Sequence, residues 1–223
     1  MGDDGKMTKQ ETEVLTDVKT VFPVLESREV WHGRVFSMQS ERVQYGGGVA
    51  VREFVKHPGA VAIVPLREVA SEYNPEGLPE VLLIDQYRHP VGATLWEIPA
   101  GLLDIPGEDP LVAAKRELAE EAELRAGRWD VLVDYFTTPG GSTESLRVFL
   151  ARDLESIPLA EQTFVKQDEE AFMTRRWVGL HEALAGIFAG RIHNPSAVVG
   201  LLATQYALQA PHELRKPEAP WLR

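Results

Sequence analysis

With 223 residues, 44% hydrophobic and 26% charged, the chain is long enough for one full-sized core with a small appendage and has the balance of a soluble globular protein. The formal net charge of −11 argues against a nucleic-acid-binding surface, which needs basic side chains to displace counterions, and the lack of cysteine excludes disulfides and thiolate metal sites. No apolar run approaches the ~18 residues of a membrane span, and the acidic start MGDDGKMTKQETEV has no apolar targeting core, so no membrane association, no signal peptide and a cytoplasmic setting are expected.

Residues 1–20 read as a flexible N-terminal tail. Over 21–57 the stretches 21–24, 28–38 and 49–55 have extended character, with turns at Gly33 and at Gly46-Gly47-Gly48, and predict an antiparallel β meander. The triple glycine is no phosphate loop, because no Gly-Lys-Ser/Thr follows it. AVAIVPL at 60–66 and VLLID at 81–85 are short apolar runs of the kind buried strands make, separated by a polar loop over 71–79. LWEIPA at 95–100 leads to Gly101. Asp109-Pro110 then opens a helix over 110–123, an acceptor at the cap and a ring that pre-sets the first helical φ, with Leu111, Ala114, Leu118 and Ala122 toward the core.

Strands are predicted at 129–136 and 146–151, joined by a turn-rich loop over 137–144. Residues 153–168 read as irregular, 172–178 as a strand and 180–189 as a short helix. Asn194-Pro195 starts a last helix with an apolar face over 197–208. A proline-punctuated tail wraps the surface beyond it. The order predicts a mixed α/β (α+β) sandwich, not a doubly wound sheet. The units are a β region at 21–57, a main domain at 58–209 and a C-terminal tail at 210–223.

One helix has an unusual charge pattern. Glu117, Glu120 and Glu121 fall at i, i+3 and i+4, so their carboxylates crowd together and destabilise the helix unless something compensates. An acidic helix face is most often simply solvated. The alternative is that the carboxylates hold divalent cations, since hard ions such as Mg²⁺ or Mn²⁺ take oxygen ligands and two nearby ions require several converging carboxylates.

The surrounding spacing favours the second reading. Gly101, Glu108, Arg116-Glu117 and Glu120-Glu121 resemble the signature box of the Nudix hydrolases: Gly, five residues, Glu, seven residues, Arg-Glu, an aliphatic residue, any residue, Glu-Glu, any residue, Gly, an aliphatic residue. There are two departures. Six residues separate Gly101 from Glu108, and Glu123 stands where the closing glycine is expected. The first lies in a loop, where an insertion costs little; the second puts in question how the helix ends. Gln86-Tyr87-Arg88, the run from Trp96 to Leu102, and Pro139, fifteen residues beyond Leu124, are similar to the ADP-ribose pyrophosphatase branch.

That resemblance implies a Nudix-type α/β/α sandwich with a mixed sheet. It also implies hydrolysis of ADP-ribose to AMP and ribose 5-phosphate, with another nucleotide sugar, a dinucleoside polyphosphate or a non-catalytic nucleotide sensor as alternatives. By the same resemblance Glu117, Glu121 and the Ala100 carbonyl hold Mg²⁺ or Mn²⁺, with more than one ion per site. Glu120 assists, and Arg116 organises the carboxylates. The base that activates water is expected at Glu170, or at Glu169 beside it. Arg52, Arg88, Glu97 and Glu144 are expected toward the substrate. Trp31, Phe36 and Trp96 offer stacking surfaces, although core packing is the expected role of any one of them. The branch also implies a homodimer whose N-terminal strands reach the partner.

Overall fold

The computed structural model describes residues 14–70, 72, 74–162, 173–209 and 213–223. Two sheets account for the strands. β1 (Val24–His32), β2 (Ser37–Tyr45) and β3 (Gly48–Lys56) form the antiparallel meander expected from their alternation, in the order β1-β2-β3. The second is a seven-stranded mixed sheet. Its path runs β10 (Arg175–Gly179), β5 (Glu80–Arg88), β4 (Ala60–Arg67), β9 (Ser145–Ser156) and β8 (Leu124–Phe136), with β6 (Ala93–Glu97) on β5 and β7 (Ala100–Leu102) on β4.

β4 is the axis of the domain. It pairs in parallel with β9 and antiparallel with β7, and its apolar run lacks polar alternation because both of its faces are covered. Ala62, Val64 and Leu66 face a core closed by α2 (Leu180–Phe188) and α3 (Pro195–Gln209), whereas Val61 and Ile63 face the core under α1 (Pro110–Ala122). The result is helix, sheet and helix in three layers, with the meander attached through β3.

β4 and β5 pair only at Leu66–Val81 and Arg67–Glu80, then diverge. The segment 93–102 fills the fork. β6 lies on the β5 arm, β7 on the β4 arm, and Pro99 between them accepts a backbone hydrogen bond from Ile63 at 2.8 Å. This fork brings Glu97, Ala100 and Gly101 to the edge of α1.

Three expectations are corrected. The stretch from 153 is not irregular throughout: β9 continues to Ser156, paired with a β8 that starts at Leu124, directly after the helix, and not at 129. Arg152, Asp153 and Glu155 disguised the strand as loop, although Arg152 pairs across to Asp130 and Asp153 takes a left-handed φ of 55°. Trp31 and Phe36 do not pack in the core. They tilt against each other at 5.5 Å on the meander surface, 51% and 40% exposed, while Trp96 does pack against the main core.

The C-terminal segment is held by a buried charge. Arg147 on β9, 3% exposed, forks onto Asp134 at 2.8 and 3.0 Å, and its guanidinium donates to the carbonyls of Pro217, Ala219 and Pro220 while lying over Trp221. Arg147→Ala leaves the Asp134 carboxylate without its fork. Urea denaturation is expected to show a loss of ~3–5 kcal/mol, with early proteolytic cleavage within 213–223.

Candidate active site

α1 begins as its sequence dictates: the Asp109 carboxylate accepts from the N–H groups of Leu111 (2.8 Å) and Val112 (3.4 Å), and Pro110 occupies the first turn. Its buried face includes Ala113, Ala114, Leu118 and Ala122, but also Glu117 and Glu121 at 8% and 6% exposure. Buried carboxylates are rare unless paired, so the solvated-face reading does not apply to these two.

Arg116 does the pairing. Its Nη1 donates to Glu117 Oε1 at 2.6 Å and to Glu120 Oε2 at 3.2 Å, while Nε and Nη2 reach the two oxygens of Glu108 at 3.2 and 3.3 Å. The hydrogen bond to Glu108, with Glu117 adding to it, raises the Arg116 pKa above its ordinary value, so the guanidinium stays charged. Glu121 is paired with backbone instead: the Ala100 N–H donates to Glu121 Oε2 at 2.9 Å.

Gly101 explains its own identity. Paired with Val61 on β4, it faces α1 so closely that a Cβ would overlap the Glu117 carboxylate. The space its missing side chain leaves is occupied by a metal-type donor. Glu108, Glu117, Glu120 and Glu121 converge on one guanidinium and one amide, a surplus of negative charge built from hard oxygen donors. Among the described residues no three acidic or imidazole groups stand ready to hold a metal ion; Arg116 and the Ala100 amide take up the oxygens that would do so. Charge, donor chemistry and the cradle at Gly101 all fit divalent cations.

The helix ends on Glu123, which adopts the left-handed conformation (φ 57°, ψ 36°) that glycine usually supplies, its N–H returning to the Ala119 and Leu118 carbonyls. The exit geometry is therefore kept without the glycine. Arg175, at the start of β10, contacts it: Nη1 lies 2.8 Å from Glu123 Oε2 and donates to the Ala122 carbonyl at 3.1 Å. The sequence gives no sign of this pairing, because the partners lie on different elements.

The other expected residues are dispersed around this centre. Arg88 Nε and Nη2 fork onto Glu97 at 2.9 and 2.7 Å, and Glu97 is 2% exposed, so the buried carboxylate fixes the orientation of the arginine. Arg52 lies exposed on β3 over the Tyr45 ring and, with the loop 139–143, lines a cavity of about 410 Å³. The main-chain bonds Val55 N–Gly141 O and Thr143 N–Val55 O, both 2.9 Å, tie the meander to that loop. Glu144 accepts from Thr137 Oγ1 at 2.7 Å and lies 3.8 Å from His57 Nδ1, a histidine not singled out in the sequence. The Gly59 N–H donates to that Nδ1 at 3.1 Å, and the His57 backbone holds the loop, its N–H donating to Thr143 Oγ1 at 2.9 Å and its carbonyl accepting from the same hydroxyl at 3.2 Å. Glu169 and Glu170 lie outside the described residues.

The mixed sheet between helices, with a carboxylate-rich helix beside a glycine-led strand, defines the class as a Nudix-type sandwich. A family model described as NUDIX domain matches residues 56–196, and the chain belongs to that family. It is 38% identical over 202 residues to the ADP-ribose pyrophosphatase of Mycobacterium tuberculosis (strain ATCC 25618 / H37Rv), covering 90% of this chain and 91% of the relative. It is 32% identical over 185 residues to the ADP-ribose pyrophosphatase of Bacillus subtilis (strain 168), covering 82% and 92%. A solved structure described as that of an ADP compounds hydrolase shares the fold at a TM-score of 0.66 and 20% identity, covering 87% of this chain and 97% of that one.

Gly101→Ala pushes the Glu117 carboxylate out of its cradle. The variant is expected to keep its circular dichroism spectrum and lose Mn²⁺ affinity by about tenfold or more, read by electron paramagnetic resonance titration.

Proposed function

We propose that this protein hydrolyses the pyrophosphate bond of ADP-ribose to AMP and ribose 5-phosphate, using Mg²⁺ or Mn²⁺. The observation that carries the reading is the buried set of Glu117 and Glu121 braced by Arg116 and the Ala100 amide. A protein that only bound nucleotides would have no use for so costly an arrangement. The substrate class follows from relatives named ADP-ribose pyrophosphatase that match nearly end to end.

Bound divalent cations would polarise phosphoryl oxygens and acidify the attacking water. Glu117, Glu121 and the Ala100 carbonyl would hold them, with Glu120 assisting. Arg116 holds the carboxylates in register. Glu170, or Glu169 beside it, accepts the proton of the water as its oxygen bonds to one phosphorus and the bridging P–O bond breaks. Arg88, oriented by Glu97, faces the phosphates. Arg52 and Glu144, on either side of the 139–143 loop, take the nucleoside and ribose hydroxyls. The cations also reconcile an anionic substrate with a chain of net charge −11.

The active form is a homodimer. Every residue of β1 is exposed, and Val30, Trp31, Val35 and Phe36 leave apolar area on the meander that a second copy would cover. Sedimentation is expected to give a dimer that Trp31→Glu splits; a monomeric parent overturns this assembly.

Purified protein with Mg²⁺ is expected to prefer ADP-ribose in a panel of nucleoside diphosphate derivatives, and faster turnover of a nucleotide sugar lacking that ribose would overturn the substrate assignment. Glu121→Gln is expected to remove turnover with the fold intact. Glu170→Gln should lower kcat by about 10²–10⁴-fold, the range of a general base, with little change in metal affinity.

A further inference from the structure

The last two turns of α1 carry Glu117, Glu120 and Glu121, and Glu123 follows at the cap, all at the helix end whose carbonyls are already partly negative. No basic residue lies in the last turn. Arg116 is engaged with Glu108, Glu117 and Glu120. Among the described residues a cation reaches the exit from β10. Arg175 bridges the Glu123 carboxylate and the Ala122 carbonyl with a single nitrogen. Its own place is fixed by the neighbouring backbone: the Thr174 N–H donates to Asp85 Oδ1 at 2.6 Å, and the Asp85 N–H returns to the Thr174 carbonyl at 3.0 Å.

We infer that Arg175 is a positioning residue for the metal-binding carboxylates. It does at this helix exit what a glycine would do by conformational freedom. A non-glycine residue in the left-handed region is strained, and Glu123 adds a fourth negative charge to an acidic helix end. Arg175 offsets both by neutralising the side chain and capping the carbonyl before it. Without it the turn from Ala119 to Glu123 frays, and that turn carries Glu120 and Glu121. Glu121 is then no longer held where its oxygen meets the Ala100 amide. Arg175 acts through the helix, not on substrate or water.

The inference rests on the reading of Glu121 as a metal ligand, and the test separates the two. Mn²⁺ affinity of the full chain is titrated by electron paramagnetic resonance for the parent, Glu121→Gln, Arg175→Ala, and Arg175→Ala combined with Glu123→Gly. Arg175→Ala is expected to weaken Mn²⁺ binding about tenfold, the scale of lost outer support to a metal site. The combined variant should return most of that loss, since glycine makes the left-handed exit unstrained and removes one negative charge from the helix end. Arg175→Lys, which keeps the charge, should fall between, and is measured in place of Arg175→Ala if the latter does not fold. Amide hydrogen exchange at Glu121 and Ala122 should accelerate in Arg175→Ala and slow again in the combined variant. If Glu121→Gln leaves Mn²⁺ binding unchanged, the metal reading fails. If Glu121→Gln weakens binding but the Arg175 variant does not, or if Glu123→Gly brings no recovery, the positioning role fails.

Discussion

Like charges crowded on a helix face, two of them out of water, are the constraint that the rest of the structure answers. Isolated, the set of Glu117, Glu120 and Glu121 would weaken α1 and be driven to solvent. Here Glu117 and Glu121 stay buried because each finds a fixed donor, Arg116 for one and the Ala100 amide for the other. Among the described residues neither donor neutralises the whole set. Clustered carboxylates are poor as a folding device and good as a receptor for cations, and anything that binds the folded state alone returns stability to it by mass action.

The sheet supplies the second half of that answer. A central strand buried on both faces cannot itself offer polar groups to a site, so the polar backbone comes from the fork where β4 and β5 part. Within five residues the chain presents Glu97 on one arm and Ala100 and Gly101 on the other. The first orients Arg88, the second braces Glu121, and the third makes room for Glu117. One local divergence of two strands thus positions groups for cation and phosphate alike.

What was legible in the sequence is what short-range rules encode. α1 could be read from Asp109-Pro110 and the spacing of Leu118 and Ala122, β4 from an apolar run without alternation, and the carboxylate cluster from Glu117, Glu120 and Glu121. The expectation that Arg116 reaches these carboxylates came from the family resemblance, and its contacts with Glu108, Glu117 and Glu120 agree with it. The rest depends on distant partners. β9 past Ala151 looked like loop because Arg152 and Asp153 are charged, and only pairing with β8 makes it a strand. The fork, the Arg88–Glu97 pair and the approach of Arg175 to Glu123 join segments whose sequences carry no mark of one another. Aromatic side chains such as Trp31 and Phe36 are expected in a core, yet both stand exposed on the meander.

A row of residues across the sheet connects the site to the C-terminal segment. Gly101 pairs with Val61, Val61 with Arg147, and Arg147 with Asp134, so all four positions share the face that α1 covers. At one end of the row a side chain must be absent, because Glu117 occupies the space. At the other a full guanidinium must be present, because Asp134 and the carbonyls of Pro217, Ala219 and Pro220 all lean on it. Val61 between them is fully buried. One row of paired positions thus carries opposite demands, an absent side chain under α1 and a long charged one under the C-terminal segment. The same face of the sheet that seats α1 through Gly101 therefore also anchors residues 217–221 through Arg147.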